Sequence, residues 1–174
     1  VDELIVFAGQ YDFLIIDVGA GIGSAVTTFL ATAPEVAVVV ANEPTSIMDA
    51  YSLIKVLGRQ AAPPALSLIV NMVHSQEEGR LLASRLNAVA TKFLGLAARL
   101  SGIVVYERVV GDAIRAGIPV PRFAAGSEAA KSLRLLARDF AHHHQARAHL
   151  QDSRAFFDSL AGMSLSAGKA GEDA

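Results

Sequence analysis

EVAVVVANEPTSIMDAYSLIKVL, Glu35 to Leu57, opens with seven residues, Glu35 to Ala41, that are apolar and mostly β-branched after the first. A run of that kind has no polar side to turn to water, so it predicts a strand covered on both faces, the situation of a parallel sheet. Asn42-Glu43-Pro44-Thr45 then breaks the run, and Thr45 stands as N-cap of a helix through Ile47, Tyr51, Leu53, Ile54 and Leu57 until Ala62-Pro63-Pro64 ends it. Outward from this unit the pattern repeats. Ala65 to Val73 (ALSLIVNMV) reads as another strand with one polar residue, Asn71, near its end. Upstream, Phe13 to Asp17 (FLIID) reads as a short strand ending in an acid, followed by glycine-rich Gly19 to Gly23 and a helical pattern, Ala25 to Ala33. Downstream, Leu82, Leu86, Val89, Phe93, Leu96 and Leu100 recur at helical spacing and predict a helix from Gln76 to Leu100, ended by Gly102 and followed by a strand, Ile103 to Tyr106. Gly111 to Pro119 is a helical turn stopped by Gly117 and Pro119, and Ser127 caps a last helix through Ala130, Leu133, Leu136 and Phe140. Strands alternating with helices imply an α/β fold, a mostly parallel sheet with helices on both faces. Ligands of such sheets sit at the carboxyl ends of the strands. Asp17 to Gly23, Asn42 to Thr45, Asn71 to His74 and Tyr106 to Asp112 are therefore the segments where chemistry is expected.

The chain has 174 residues, 52% hydrophobic and 18% charged, with a mean hydropathy of +0.41. That is enough apolar material for one independent core. The absence of Cys excludes disulfides, Cys-ligated zinc, iron–sulfur clusters and Cys nucleophiles, and fits a reducing compartment. No apolar run reaches the roughly 18 to 20 residues of a membrane-spanning helix, and no secretory signal is visible. Val1 stands where an initiator Met would be and the pattern opens mid-element, so a preceding segment is expected. Net charge is only −2, yet residues 80–154 carry 12 Lys or Arg against 5 Asp or Glu while the remainder carries 3 against 12. A basic half can steer acidic partners or anionic lipid; solvated helix faces are the plainer reading.

Asp17, at the end of an apolar run beside glycines, has the make-up of a magnesium-bound phosphate site, in which the acid holds the ion through water and glycine N–H groups approach the phosphate. Asp is equally a good turn former, and at this point both readings stand. His142, His143 and His144 are consecutive and cannot close on one ion from a helix, so they read as a solvated tail. In Arg147 to Met163, the residues Leu150, Phe156, Phe157, Leu160 and Met163 fall within about 140° of a helical wheel, opposite Arg147, Arg154 and Asp158. Its polar face mixes charges, which leaves packing on its own domain and contact with lipid both open.

Taken together, YDFLIIDVGAGIGSAVTTFL (Tyr11 to Leu30), Glu35 to Leu57, LIVNMV (Leu68 to Val73) and VVGDAIRAGIPV (Val109 to Val120) resemble the MinD/ParA-like P-loop ATPases, and most of all their flagellar branch (FlhG, also called YlxH or FleN), which sets flagellar number and position. The resemblance runs from about Asp2 to Phe140, with EPTSIMDAYSLIK its most specific part. It implies ATP and Mg2+ as cofactors. By it, Asp17 matches the switch II aspartate that acts catalytically through magnesium and the attacking water, Gly21 matches the glycine near the γ-phosphate with Gly19 also in the nucleotide site, Asn71 reads adenine, and Glu107 belongs to the loop flanking the base. Glu43, Pro44, Thr45 and Asp49 match the loop and helix start where a partner subunit or regulator makes contact. Leu150, Phe156, Phe157, Leu160 and Met163 match an amphipathic helix that binds membrane or a partner.

Three departures qualify the resemblance. Met72 follows Asn71 where a basic residue is common, and Glu107-Arg108 replaces a Pro-acid pair. More important, no GxxxxGK[ST] or variant occurs in the sequence. Without the lysine and the backbone nest of that loop, this chain alone is expected to bind nucleotide poorly and to hydrolyse none. Residues 1–141 then read as the carboxy-terminal portion of such an ATPase domain and 142–174 as a helical, then disordered tail. The expected partners are a second copy and flagellar assembly or switch proteins, with peripheral membrane contact through the last helix and no nucleic acid. The expected location is cytoplasmic, with or without membrane association. A non-catalytic interaction module of the same fold, or a ParA-type partition ATPase, is the alternative.

Overall fold

A computed structural model describes residues 10–19, 23–145 and 158. Three parallel strands lie in the order β1 (Glu35–Ala41), β2 (Ala65–Val73) and β3 (Arg99–Val105). The β1–β2 register sets Val36 beside Leu66, Val38 beside Leu68 and Val40 beside Val70. Because side chains alternate along a strand, these six share one face, and all are buried. That face is covered by α2 (Pro44–Leu57), through Ala50, Ile54 and Leu57, and by α3 (Gln76–Leu94), through Leu82, Ala83, Leu86 and Ala90. The opposite face is covered at β3 by α6 (Glu128–Gln145): a Cβ placed on Gly102 would lie 2.7 Å from Leu136 Cδ1, so the glycine is what lets this helix settle on the sheet. Helices thus lie on both faces of a parallel sheet, the expected α/β architecture, but the expectation that β1 is covered on both faces is corrected: the second face is covered at β3, while Ala37 and Val39 of β1 are exposed. Between β3 and α6, α4 (Arg108–Ala116) and α5 (Val120–Phe123) form a small second cluster from Ala113, Val120, Ala129 and Ala130; α1 (Ser24–Thr32) precedes β1 and contributes Leu30 to the main core. Among the described residues, no helix is long and apolar enough to cross a membrane.

Four local expectations are corrected. Phe13 to Asp17 is not a strand; residues 13–19 carry no regular structure, and Phe13, Leu14, Ile15 and Ile16 are exposed, Ile15 at 88%. A five-residue run acquires strand hydrogen bonds only from a neighbour, and among the described residues β1 pairs with β2 alone. Thr45 is not the cap of α2: Glu43 is the N-cap and Pro44 the first helical residue, a position suited to a residue without an N–H. The helix expected to reach Leu100 stops at Leu94, where Gly95 takes the left-handed conformation (φ 67°). Asn87 then fixes the turn, its amide bonding Ala98 O at 2.8 Å and accepting Ala98 N–H at 2.9 Å. Consequently β3 begins at Arg99, and Gly102 lies inside it instead of ending a helix. Ser127 does cap α6, accepting Ala130 N–H at 3.1 Å.

A polar network closes the amino-terminal ends of the strands. Arg99 of β3 pairs with Asp139 of α6 at 2.6 Å and lies 3.7 Å from Glu35 of β1, and the Ser67 hydroxyl of β2 donates to Glu35.

Candidate functional site

The carboxyl ends of the three strands gather Asn42, Asn71, Met72, His74, Tyr106 and Glu107. Each is held by a local interaction. Ser46 Oγ accepts Ala41 N–H at 2.9 Å and turns the chain from β1 into α2 past Asn42. Asn71 Oδ1 accepts the N–H of Met72 at 2.9 Å, and Met72 has φ 59°, in the left-handed region that non-glycine residues seldom adopt. Tyr106 N–H donates to Val73 O at 2.7 Å, and the His74 ring meets the Tyr106 ring edge-on, centroids 6.3 Å apart. Glu107 directs a carboxylate oxygen to Ala129 N–H at 2.7 Å, serving the amino terminus of α6.

Glu78, in the first turn of α3, ties this end of the sheet together. One carboxylate oxygen accepts His74 N–H at 2.8 Å and the other Asn42 Nδ2 at 2.6 Å. The His74 amide first, then the Asn42 side chain, hold the Glu78 carboxyl below its ordinary value, against a small opposing effect of burial.

Asn42 and Glu78 also stand at one end of a groove between α2 and α3 with a cavity of about 590 Å³. Met48 and Tyr51 of α2 line it, with Leu81, Val89 and Phe93 of α3; Met48, Leu81, Val89 and Phe93 are exposed. Arg85 lies within this apolar lining and pairs with no carboxylate among the described residues. Lys92 Nζ stands 5.2 Å from the centre of the Phe93 ring. Leu81, Arg85, Val89 and Phe93 are spaced by four and so fall along one face of α3. Helical spacing groups Val89 and Phe93 with the core stripe, whereas the structure leaves them exposed in the groove beside Arg85. The four-residue repeat beside the buried Leu82 and Leu86 was the available signal.

Of the residues expected at a site, Asn71 and Glu107 come to the same end of the sheet. Asp17 and Gly19 are exposed in the irregular stretch 13–19, and Asp17 makes no hydrogen bond or ion pair among the described residues. Glu43, Pro44, Thr45 and Asp49 are exposed around the start of α2. Gly21, Leu150, Phe156, Phe157, Leu160 and Met163 lie outside the described residues.

No protein-family model matches the chain. Two curated proteins do. The antiactivator FleN of Pseudomonas aeruginosa is 42% identical over 104 residues, which is 60% of this chain and 37% of FleN. The flagellum site-determining protein YlxH of Helicobacter pylori is 39% identical over 79 residues, 45% of this chain and 26% of YlxH. The chain is a relative of the FlhG proteins. It spans roughly a quarter to a third of the length of these relatives. Asn42 and Glu78 thus stand both at the carboxyl end of the sheet and in the lining of the α2–α3 groove.

Proposed function

We propose that the chain is part of an ATP-switched regulator of flagellar number or placement and that it supplies the surface on which a protein partner docks. The observation that carries this reading is the α2–α3 groove, an exposed apolar trough with a guanidinium in its lining, Arg85, that pairs with no carboxylate among the described residues. Such a trough fits the apolar face of an amphipathic helix. A carboxylate on that helix would satisfy Arg85 with a charge-assisted, two-pronged bond. The relatives' names, antiactivator and site-determining protein, point to flagellar assembly or switch proteins as the source of the helix.

The crevice chemistry fits a nucleotide at its base end. Asn71 presents donors and an acceptor for an adenine edge, and Asp17 with Gly19 and Gly21 would meet a magnesium-bound phosphate. Bound ATP would supply a hydrolysable phosphate as the switching signal. The sequence has no lysine-bearing phosphate loop, so no hydrolytic step is assigned to the residues of this chain.

Fluorescence anisotropy with labelled peptides tiling the flagellar switch and assembly proteins of the source genome tests the docking. An acidic amphipathic peptide should bind, and Arg85→Glu or Val89→Asp should weaken it at least about tenfold without lowering the melting temperature. Unchanged binding in both variants removes the groove from the function.

A further inference from the structure

We propose that Met48 is an oxidation site that switches the α2–α3 groove: a hydroperoxide converts its thioether to the sulfoxide, and the groove then releases its helical partner; this rests on the docking reading above. The chain contains no Cys, so its three methionines, Met48, Met72 and Met163, carry all of its sulfur. Met48 is 62% exposed and Met72 53%, although methionine is among the residues most often buried. Met48 lies in the first half of α2 and lines the groove with Tyr51, three residues on and so on the same face, and with Leu81, Val89 and Phe93 of α3. Met72 stands at the end of the central strand, outside the groove lining. Both thioethers are open to an oxidant in water, and Met48 alone of the two reports on the groove.

The step is balanced without help from the protein. A lone pair of the Met48 sulfur attacks one oxygen of the hydroperoxide, the O–O bond breaks, and the departing oxygen takes up the proton and leaves as water or an alcohol. The sulfur is oxidised by two electrons and the peroxide reduced by two. A flexible apolar side chain thereby becomes a polar one with a strong acceptor oxygen. In the free chain that oxygen stays in water, so the fold is little affected. A docked helix would strip the water from it, and a buried polar group without a partner is costly. Arg85, which pairs with no carboxylate among the described residues, keeps its charge throughout. Oxidation therefore removes the apolar part of the attraction and leaves the electrostatic part, so affinity should fall while its salt dependence does not change. Methionine sulfoxide reductases return the thioether, which makes the switch reversible.

The test uses the full chain and a labelled model helix with leucine along one face and glutamate along the other. Binding is followed by fluorescence anisotropy before and after hydrogen peroxide, and the sites of oxygen addition are read by peptide mass spectrometry. Oxidation at Met48 should weaken binding at least about tenfold, the loss expected when a docked thioether is replaced by a polar group. The salt dependence and the melting temperature should stay as they were, and the reductase should restore affinity. Met48→Leu should bind normally and keep its affinity through peroxide, whereas Met72→Leu should lose affinity as the parent does. Met48→Gln, polar and of similar length, should bind weakly with no oxidant present. Three results would overturn the switch and keep the docking reading: unchanged affinity in a chain whose Met48 is oxidised, an equal loss in Met48→Leu, or oxygen addition at Met72 with Met48 spared. A parent chain that does not bind the model helix removes the docking reading and the switch with it.

Discussion

Asn42 Nδ2 lies 2.6 Å from Glu78 Oε1, so the residue that follows β1 is tied to the first turn of α3. Both residues also line the α2–α3 groove, so this bond links the end of β1 to that groove. Its strength depends on charge. The folded chain holds the Glu78 carboxyl low, through the His74 amide first and Asn42 second. The stabilisation is therefore complete above the unfolded Glu value of about 4.3 and is lost as pH falls through the lower folded value. Glu78→Gln, with one acceptor for two donors, should melt below the parent at pH 7, and the gap should close as pH is lowered through the carboxylate range. A gap that stays constant across thermal melts at each pH would show that the charge is immaterial.

Arg99 joins three elements, and its two carboxylates are not equivalent: the Glu35 side chain is 7% exposed and the Asp139 side chain 37%. A desolvated carboxylate suffers most when its cation is removed. Arg99→Ala should cost about 2 kcal/mol in urea unfolding, below the loss for a fully buried pair because the guanidinium is itself part-exposed. Asp139→Asn should cost less than about 1 kcal/mol. Equal losses would locate the energy in the Arg99–Asp139 pair instead.

The left-handed Met72 makes a separate claim on stability. A glycine accepts φ 59° without strain, while adding freedom to the unfolded chain. The strain, of the order of 1 kcal/mol or more, is the larger effect, so Met72→Gly should raise the midpoint of urea unfolding. A variant that is less stable than the parent would show that the methionine side chain contributes packing there.

How far these features were legible depends on where their cause lies. β1 and β2 were legible to the residue, because Glu35 to Ala41 and Ala65 to Val73 are nearly continuous apolar runs bounded by proline or polar residues. The FLIID run has a similar composition, but strand hydrogen bonds must come from another strand, which no local pattern encodes. The end of α3 was missed because Leu96 and Leu100 happen to prolong the helical spacing beyond Gly95, though Leu96 packs against Gly58 and Leu100 belongs to β3. Gly102, taken for a stop, is small to admit Leu136 from a helix 34 residues later in the chain. At the site, Asn71 was visible as the polar residue at a strand end. The φ of Met72 was not visible, and Val89 and Phe93 could be told from core only once α2 had left them uncovered.

The last expectation concerns the apolar surface that the sheet leaves open. Phe13, Leu14, Ile15 and Ile16 are consecutive and exposed, and Val39 is exposed on β1, which is paired on one side only among the described residues. Unpaired strand edges and contiguous apolar patches recruit other chains. LIVNMV lies in the central strand, paired on both sides, so among the described residues the unpaired edges are those of β1 and β3. This chain should associate as concentration rises, independently of ATP and of Asp17→Ala, because neither the nucleotide nor Asp17 covers that surface. Ile15→Asp should shift it toward monomer without altering its melting temperature, since a side chain 88% exposed has little packing to lose. Val39→Lys should do the same if the β1 edge takes part. Static light scattering decides the matter. A monodisperse species at the chain mass of 18.2 kDa would show that the open surface is shielded in solution. A dimer appearing only with ATP would assign association to the nucleotide instead.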